Sequence, residues 1–245
     1  MATPVRETFV ELGGKRVPVR LYRDTRARRI ILRIDGGNGA GDGIGDGNSD
    51  GVSVTLPRRA PLREGLDLIH EKAQWVLDRL GRLPPRVAFA DGASVPLGGV
   101  DHTIRHVSGG RGVVRRQGAE ILVAGGPEHL ARRLRDWMKK EARWRIGRLV
   151  GDKAAALGRT AGRVTIRGTR SRWGSCSAAG NLSFCWRLVM APESVLDYVV
   201  AHEVAHLAEP HHGPKFWRLV ETLTPDMEAS RDWLRRNGEA LHRYG

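Results

Sequence analysis

Four histidines lie close together in the segment VVAHEVAHLAEPHHGPKFW, residues 199–217, and a glutamate directly follows the first of them. His202 and His206 are four positions apart, so on a helix their side chains lie on one face, one turn from each other. Two imidazoles at that spacing can bind one metal ion at about 2.0–2.1 Å each. Glu203 is rotated from His202 by about 100° around a helix, which places it beside such an ion. This His-Glu-x-x-His pattern is typical of a zinc site whose glutamate is a general base.

A third ligand is expected after the end of that helix. The helix must end before Pro210, because proline disfavours the α conformation in the preceding residue. His212 lies ten positions after His202, which is the spacing of the outer histidines in the longer motif H-E-x-x-H-x-x-G-x-x-H. Glu209 stands where that motif has glycine, so the turn must differ. His211 is the competing ligand, and we favour His212.

The ligand types favour a catalytic metal site over a structural one. Three neutral imidazoles leave a fourth position open to water, as in catalytic zinc sites. A closed structural site would more often use cysteines, and the chain has only Cys176 and Cys185. These two flank a turn predicted at Gly180-Asn181, and we interpret them as a buried pair of thiols in a hairpin. We therefore predict one catalytic zinc ion per chain.

The reaction predicted from this site is metal-assisted hydrolysis. Zinc lowers the pKa of its water toward about 7, and Glu203 accepts the proton and passes it to the leaving amine. The negative charge that develops on the substrate oxygen also needs a hydrogen-bond donor. Tyr198, Arg172 and His211 are three candidates for this donor, or for positions around the ligands, and the sequence does not rank them.

Helices and strands must position these residues. The apolar pattern predicts a helix from Pro192 to about Ala208, with Asp197 near its first turn, where the helix dipole favours a negative charge. A longer helix is predicted to begin at Pro127, with one apolar stripe and many arginines outside the stripe. Between the two helices, residues 163–191 indicate a strand, a second strand, a turn and a third strand.

The first half of the chain is predicted to be rich in β-structure. Alternating apolar and polar residues predict a hairpin around Gly13-Gly14, followed by two strands on either side of a segment rich in glycine and aspartate at 36–50. That segment fits no calcium-loop spacing, and we interpret it as a flexible insertion. A helix is predicted over 61–83 and short strands over 86–124.

The composition is that of a folded protein with a basic surface. The chain has 245 residues, 40% hydrophobic, with seven tryptophans, which is sufficient for a core. Two cysteines are too few for a disulfide framework, and the N-terminus lacks a signal-peptide pattern, so we expect a cytoplasmic protein without membrane contact. The net charge of +14 could attract nucleic acid, with Trp144 among arginines as a stacking surface, but we expect such binding to be weak.

Residues 171–220 carry several short motifs besides the histidines. They are the run Arg-Trp-Gly-Ser-Cys, an Asn-Leu pair, Trp-Arg-Leu, Asp-Tyr-Val-Val before the first histidine, and His-x-x-x-Phe-Trp after it. With these motifs the chain resembles the YgjP-like family of zinc-dependent hydrolases, which are relatives of the SprT-like and WLM zincin peptidases. The segment RARRIILRID also matches the family pattern, whereas the insertion at 36–50 departs from it.

The resemblance supports Glu203 as catalytic and the following metal ligands: His202, His206 and His212. We therefore predict a zinc metallopeptidase that acts on peptides or proteins. One alternative keeps the zinc site but directs it, through the basic surface, to proteins bound on nucleic acid, as an SprT-like protease would. Another alternative is a zinc-stabilised binding module without turnover. Glu203 argues against that module, because a structural site needs no base.

The expected fold is α+β, with a β-rich N-terminal region at 1–125 packed on a zincin-like metallopeptidase domain at 126–245. Zincin architecture implies that an edge strand within 171–187 lies beside the metal-binding helix. Such a strand can pair with an extended peptide substrate. Trp173 and Trp186, in the same segment, are interpreted as core aromatics.

Overall fold

The computed structural model describes residues 4–35, 50–109, 113–169 and 172–245. Over these residues it contains six α-helices and three small sheets, which confirms the predicted α+β class. The chain divides into two compact units, Met1–Pro85 and Arg86–Gly245. The insertion predicted at 36–50 lies outside the described residues, apart from Asp50. No helix in the described ranges is long and apolar enough to cross a membrane.

The first unit is built on one sheet of four strands, all of which the sequence predicts. The strands are β1 (Arg6–Leu12), β2 (Lys15–Asp24), β3 (Ile31–Asp35) and β4 (Gly51–Pro57). Their order in the sheet is β1-β2-β4-β3, with β2 and β4 parallel and the other pairs antiparallel. Gly13 and Gly14 form the β1–β2 turn with positive φ angles of 54° and 74°, a conformation that glycine adopts without steric cost.

The helix predicted over 61–83 is two helices in the structure. They are α1 (Leu62–Glu71) and α2 (Ala73–Gly81). Lys72 separates them because its backbone, at φ −98° and ψ 20°, leaves the helical region. Ile69 and Val76 are fully buried in one hydrophobic core with the valines and leucines of the sheet. The first unit therefore has a core of its own.

The second unit begins with a sheet that the sequence places in the N-terminal region. Its strands are β5 (Ser94–Leu97), β6 (Val100–Val107), β7 (Val114–Gln117) and β8 (Glu120–Ala124), in the order β5-β6-β8-β7. The long helix α3 (Leu130–Ala156) follows a 3-10 turn at Pro127–His129. Ile104 and Ile121 of this sheet share one core with Leu134 and Met138 of α3. The boundary between units therefore falls after residue 85, not after residue 125 as the sequence suggests.

The elements around the candidate site follow α3. A third sheet contains β9 (Val164–Arg167), β10 (Gly174–Cys176) and β11 (Leu182–Cys185), in the order β10-β11-β9. Then come α4 (Glu193–Ala205), α5 (Pro214–Leu223) and α6 (Met227–Leu241). The sequence predicts the three strands and α4, whose end lies three residues earlier than expected, but not α5 or α6. Trp186 is buried in the core and Trp173 packs against it, which confirms their interpretation as core aromatics.

Candidate metal centre and active site

The three histidines chosen from the sequence converge in the structure. His202 lies in the last turn of α4, His206 caps that helix, and His212 lies in the loop before α5. Each offers one ring nitrogen, and these nitrogens all lie within 4.8 Å of one another, an arrangement that could hold a metal ion. Nε2 of His202 and Nε2 of His212 are 3.1 Å apart.

The loop between α4 and α5 returns His212 toward the helix. α4 ends in a tight turn in which the N–H groups of Ala208 and Glu209 both bond to the Ala205 carbonyl. The chain then reverses, and α5 begins at Pro214, where a missing N–H costs nothing. The indole Nε1 of Trp217 donates a hydrogen bond to the His212 carbonyl at 3.1 Å. This bond ties the third histidine to α5.

A buried phenylalanine supports all three imidazoles. Phe216 is fully buried, and its ring centre lies 4.9, 4.5 and 4.7 Å from those of His202, His206 and His212 respectively. Nδ1 of His206 lies 3.1 Å from the Glu209 carbonyl. A proton held there leaves Nε2 with its lone pair free, which is the state a metal ligand needs.

The donor set suits a zinc ion. Imidazole nitrogen is a preferred zinc ligand, and two nitrogens of a tetrahedral site with ~2.0–2.1 Å bonds are about 3.3 Å apart, close to the 3.1 Å between His202 and His212. Burial lowers the pKa of His202 from 6.5 to about 4, with further contributions from His206, His212 and Arg231. Burial also lowers the pKa of His206. Neutral imidazoles are the form that binds metal.

Glu203 directly follows His202 in α4 and is in contact with β10, the edge strand of the third sheet. Its side chain is only 7% exposed, and burial raises its pKa from 4.5 to about 7 against the opposing effects of Arg172 and of the Cys176 N–H, which bonds to it. Gly174 of β10 faces the same carboxylate. A Cβ added there would lie 2.5 Å from Cγ and 2.6 Å from Oε1 of Glu203.

The three secondary candidates from the sequence differ in position. Tyr198 is buried one turn before His202, with its ring centre 6.1 Å from that of His202, and burial raises its pKa. Arg172 is exposed, and its charge acts on Glu203. His211 is exposed and is not part of the described histidine cluster. The structure therefore brings Tyr198 and Arg172 to the site and leaves His211 outside the ligand group.

Arg231 of α6 is a site residue that the sequence did not reveal. Its guanidinium carbon lies 5.4 Å from the ring centre of Trp217, and that ring lies 5.9 Å from His202 and 5.7 Å from His212. Its charge lowers the pKa of both His202 and Tyr198. No local motif marks this arginine, because its position depends on how α6 packs against α4.

Residues 47–237 match the family described as YgjP-like, metallopeptidase domain. The chain belongs to the YgjP-like family. This confirms the resemblance seen in the sequence, and with it the class of metal-dependent peptidase, which implies a divalent metal. The crystal structure of the metallopeptidase zymogen of Pyrococcus abyssi abylysin is also similar, at 25% identity, over 40% of this chain and 97% of that chain, with a TM-score of 0.35. None of the curated proteins matches this YgjP-like chain.

Proposed function

We propose that this YgjP-like protein hydrolyses peptide bonds with one zinc ion held by His202, His206 and His212, and with Glu203 as the general base. The observation that carries the proposal is the convergence of three imidazole nitrogens within 4.8 Å of one another, two of them from the helix on which a buried glutamate, Glu203, directly follows His202. When bound, zinc supplies Lewis acidity, which activates water at neutral pH and polarises a carbonyl.

Glu203 moves the proton in this proposal. Its carboxylate accepts the proton of the attacking water and delivers it to the leaving amine, so it is regenerated at the end of each cycle. The Cys176 N–H bonds to the carboxylate, and the close approach of Gly174 limits its rotation. Both contacts come from β10, so we assign this strand the task of orienting the base.

The substrate carbonyl develops negative charge and needs a donor or a cation near it. Tyr198 is supported as this donor by its position beside His202. Arg172 is supported as this cation by the effect of its charge on Glu203. Arg231 joins them, because its charge reaches both His202 and Tyr198. Separate substitution of these three residues ranks them, since replacing the true donor should lower kcat more than it raises KM.

The peptide itself is proposed to bind along β10. In the described part of the third sheet β10 pairs with β11 only, so its other edge can pair with an extended chain through main-chain hydrogen bonds. Because β10 also contacts Glu203 through Gly174 and Cys176, a peptide at this edge passes close to the general base. This proposal makes peptides or unfolded protein segments the substrate class.

The test compares Glu203→Gln with a matched control, Glu221→Gln, an exposed glutamate on α5. Glu203→Gln is expected to keep zinc and fold but to lose hydrolysis of a peptide library by orders of magnitude, because only the proton acceptor is removed. Glu221→Gln is expected to behave as wild type. Wild-type turnover by Glu203→Gln contradicts the assignment, and a zinc-loaded wild type that cleaves no peptide favours the binding module.

A further inference from the structure

A pocket lies in the C-terminal unit, away from the histidine cluster. It encloses about 930 Å³ and is lined by α3, the strand β7, the first half of α4 and the connection between α5 and α6. Neither Glu203 nor any of the three clustered histidines lines it. Its volume falls within the range of small-molecule sites, about 300–1,000 Å³.

Two tryptophans of α3 form one wall. Trp137 and Trp144 are seven positions apart, which is about two helical turns, so they lie on the same side of the helix. Trp144 is 63% exposed, an unusual environment for the largest apolar side chain. The guanidinium carbon of Arg148 lies 5.5 Å from the Trp144 ring centre. An open indole face next to a cation is therefore available to a ligand.

Most acidic groups of the pocket are already paired. Arg145 lies 3.6 Å from Glu141 and 3.5 Å from Glu193, and Lys153 lies 2.8 Å from Asp197. Asp226 is the remaining acid of the lining. The positive charges that stay available are on the arginines of β7 and α3 that make no ion pair within the described ranges: Arg115, Arg116 and Arg148.

The pocket walls are held together by buried contacts. The Lys153 side chain is 10% exposed, and besides its pairing with Asp197 on α4 it donates a 2.6 Å hydrogen bond to the Leu223 carbonyl at the end of α5. The Lys153 side chain thus links the wall formed by α3 to two others, α4 and the end of α5. A pocket whose walls are linked in this way is preformed, which lowers the entropic cost of binding a ligand.

We propose that this pocket binds a small aromatic anion, with its ring stacked on Trp144 and its phosphate, sulfonate or carboxylate group paired with Arg148 and the β7 arginines. Indole faces stack on planar rings of any kind, and a guanidinium pairs with oxyanions through several N–H donors. The concave shape favours a compact ligand over a long strand. This site is independent of the proposed peptide hydrolysis.

The test uses 8-anilinonaphthalene-1-sulfonate, an aromatic sulfonate, titrated into the full chain and followed by its fluorescence. Trp144→Ala and Arg148→Gln are each expected to weaken binding more than tenfold, whereas Trp144→Phe keeps part of it. Both residues are exposed, so the variants are expected to fold. The matched controls are Trp75→Ala, at an exposed tryptophan of the other unit, and Arg143→Gln, at an arginine of α3 outside the lining.

An uncharged analogue, N-phenyl-1-naphthylamine, separates charge recognition from apolar binding. It is expected to bind more than tenfold more weakly than the sulfonate at low salt. Equal binding of the two probes overturns the proposal, as does wild-type sulfonate binding by Trp144→Ala and Arg148→Gln. The last probe titrated into the protein is a single strand of ten thymidine nucleotides. Binding of that strand without binding of the sulfonate would show a nucleic-acid surface in place of a small-ligand site.

Discussion

Replacing Gly174 by alanine should disable the proposed general base without touching a metal ligand. The backbone at Gly174 does not have a positive φ, so alanine adds no backbone strain. The new Cβ, however, would lie 2.5 Å from Cγ, 2.6 Å from Oε1 and 2.8 Å from Cδ of Glu203. Carbon atoms attract optimally at about 3.5–4.0 Å, so either the carboxylate or β10 must move by about 1 Å.

Either movement has the same chemical consequence. If Glu203 moves, the proposed base leaves its present position, and if β10 moves, the Cys176 N–H no longer holds the carboxylate. A displacement of about 1 Å in an active site can cost about 100-fold in rate, and we expect a loss of that size in kcat/KM. Overpacking of this kind costs about 1–3 kcal/mol in the free energy of unfolding.

The assay measures peptide cleavage, zinc content and thermal unfolding on the same preparation. Gly168→Ala is the matched control, because a Cβ there meets Trp186 at an ordinary 3.6 Å, and it should keep activity. Gly174→Ala should keep one zinc per chain. Full activity in Gly174→Ala, or loss of zinc together with activity, would refute the reasoning that β10 acts through Glu203.

Three other predictions concern the ligand choice, a buried ion pair and the thiols. In a zinc competition assay, His212→Ala should weaken zinc binding by more than about 100-fold, beyond the 10–100-fold typical of residues that surround the ligands of a metal site. His211→Ala should have little effect in the same assay. Equal losses of affinity in the two variants would contradict the choice of His212. Lys153→Met should lower the free energy of unfolding, measured by urea titration, by about 2–3 kcal/mol. This is less than the loss expected for a fully buried ion pair, because Asp197 keeps 23% exposure. The control Lys140→Met, at an exposed lysine, should leave the free energy of unfolding unchanged. Burial raises the pKa of Cys185 and, with the charge of Glu203, that of Cys176, so both thiols should react slowly with a disulfide reagent at pH 7 and rapidly once unfolded; fast native labelling of Cys185 would contradict its burial.

The proximities that the sequence predicts and the structure shows are those between residues close together in the chain. His202 and His206 share a helix face by spacing alone, and the ten-residue interval, together with the helix end before Pro210, was enough to choose His212, which the structure brings into the cluster. The alternation of apolar residues likewise predicts the strands of the first sheet.

The relations that the sequence did not reveal depend on long-range packing. The approach of Gly174 to Glu203 joins residues far apart in the chain, and Arg231 reaches the site only because α6 packs near α4. Strand periodicity also does not say which core a sheet belongs to. The sequence therefore places the strands of 86–124 in the N-terminal region, although Ile104 and Ile121 pack in the core of α3.

The most direct measurement is a zinc titration of peptide cleavage in the chelator-treated protein, run in parallel on wild type and Glu203→Gln. Zinc binding, followed separately by competition with a chromophoric chelator, should saturate at one equivalent in both proteins. Wild-type cleavage should rise with zinc and level off at that equivalent, whereas cleavage by Glu203→Gln should stay near zero. Cleavage that is independent of zinc, or equal rates in the two proteins, would contradict a zinc peptidase that uses Glu203 as its base.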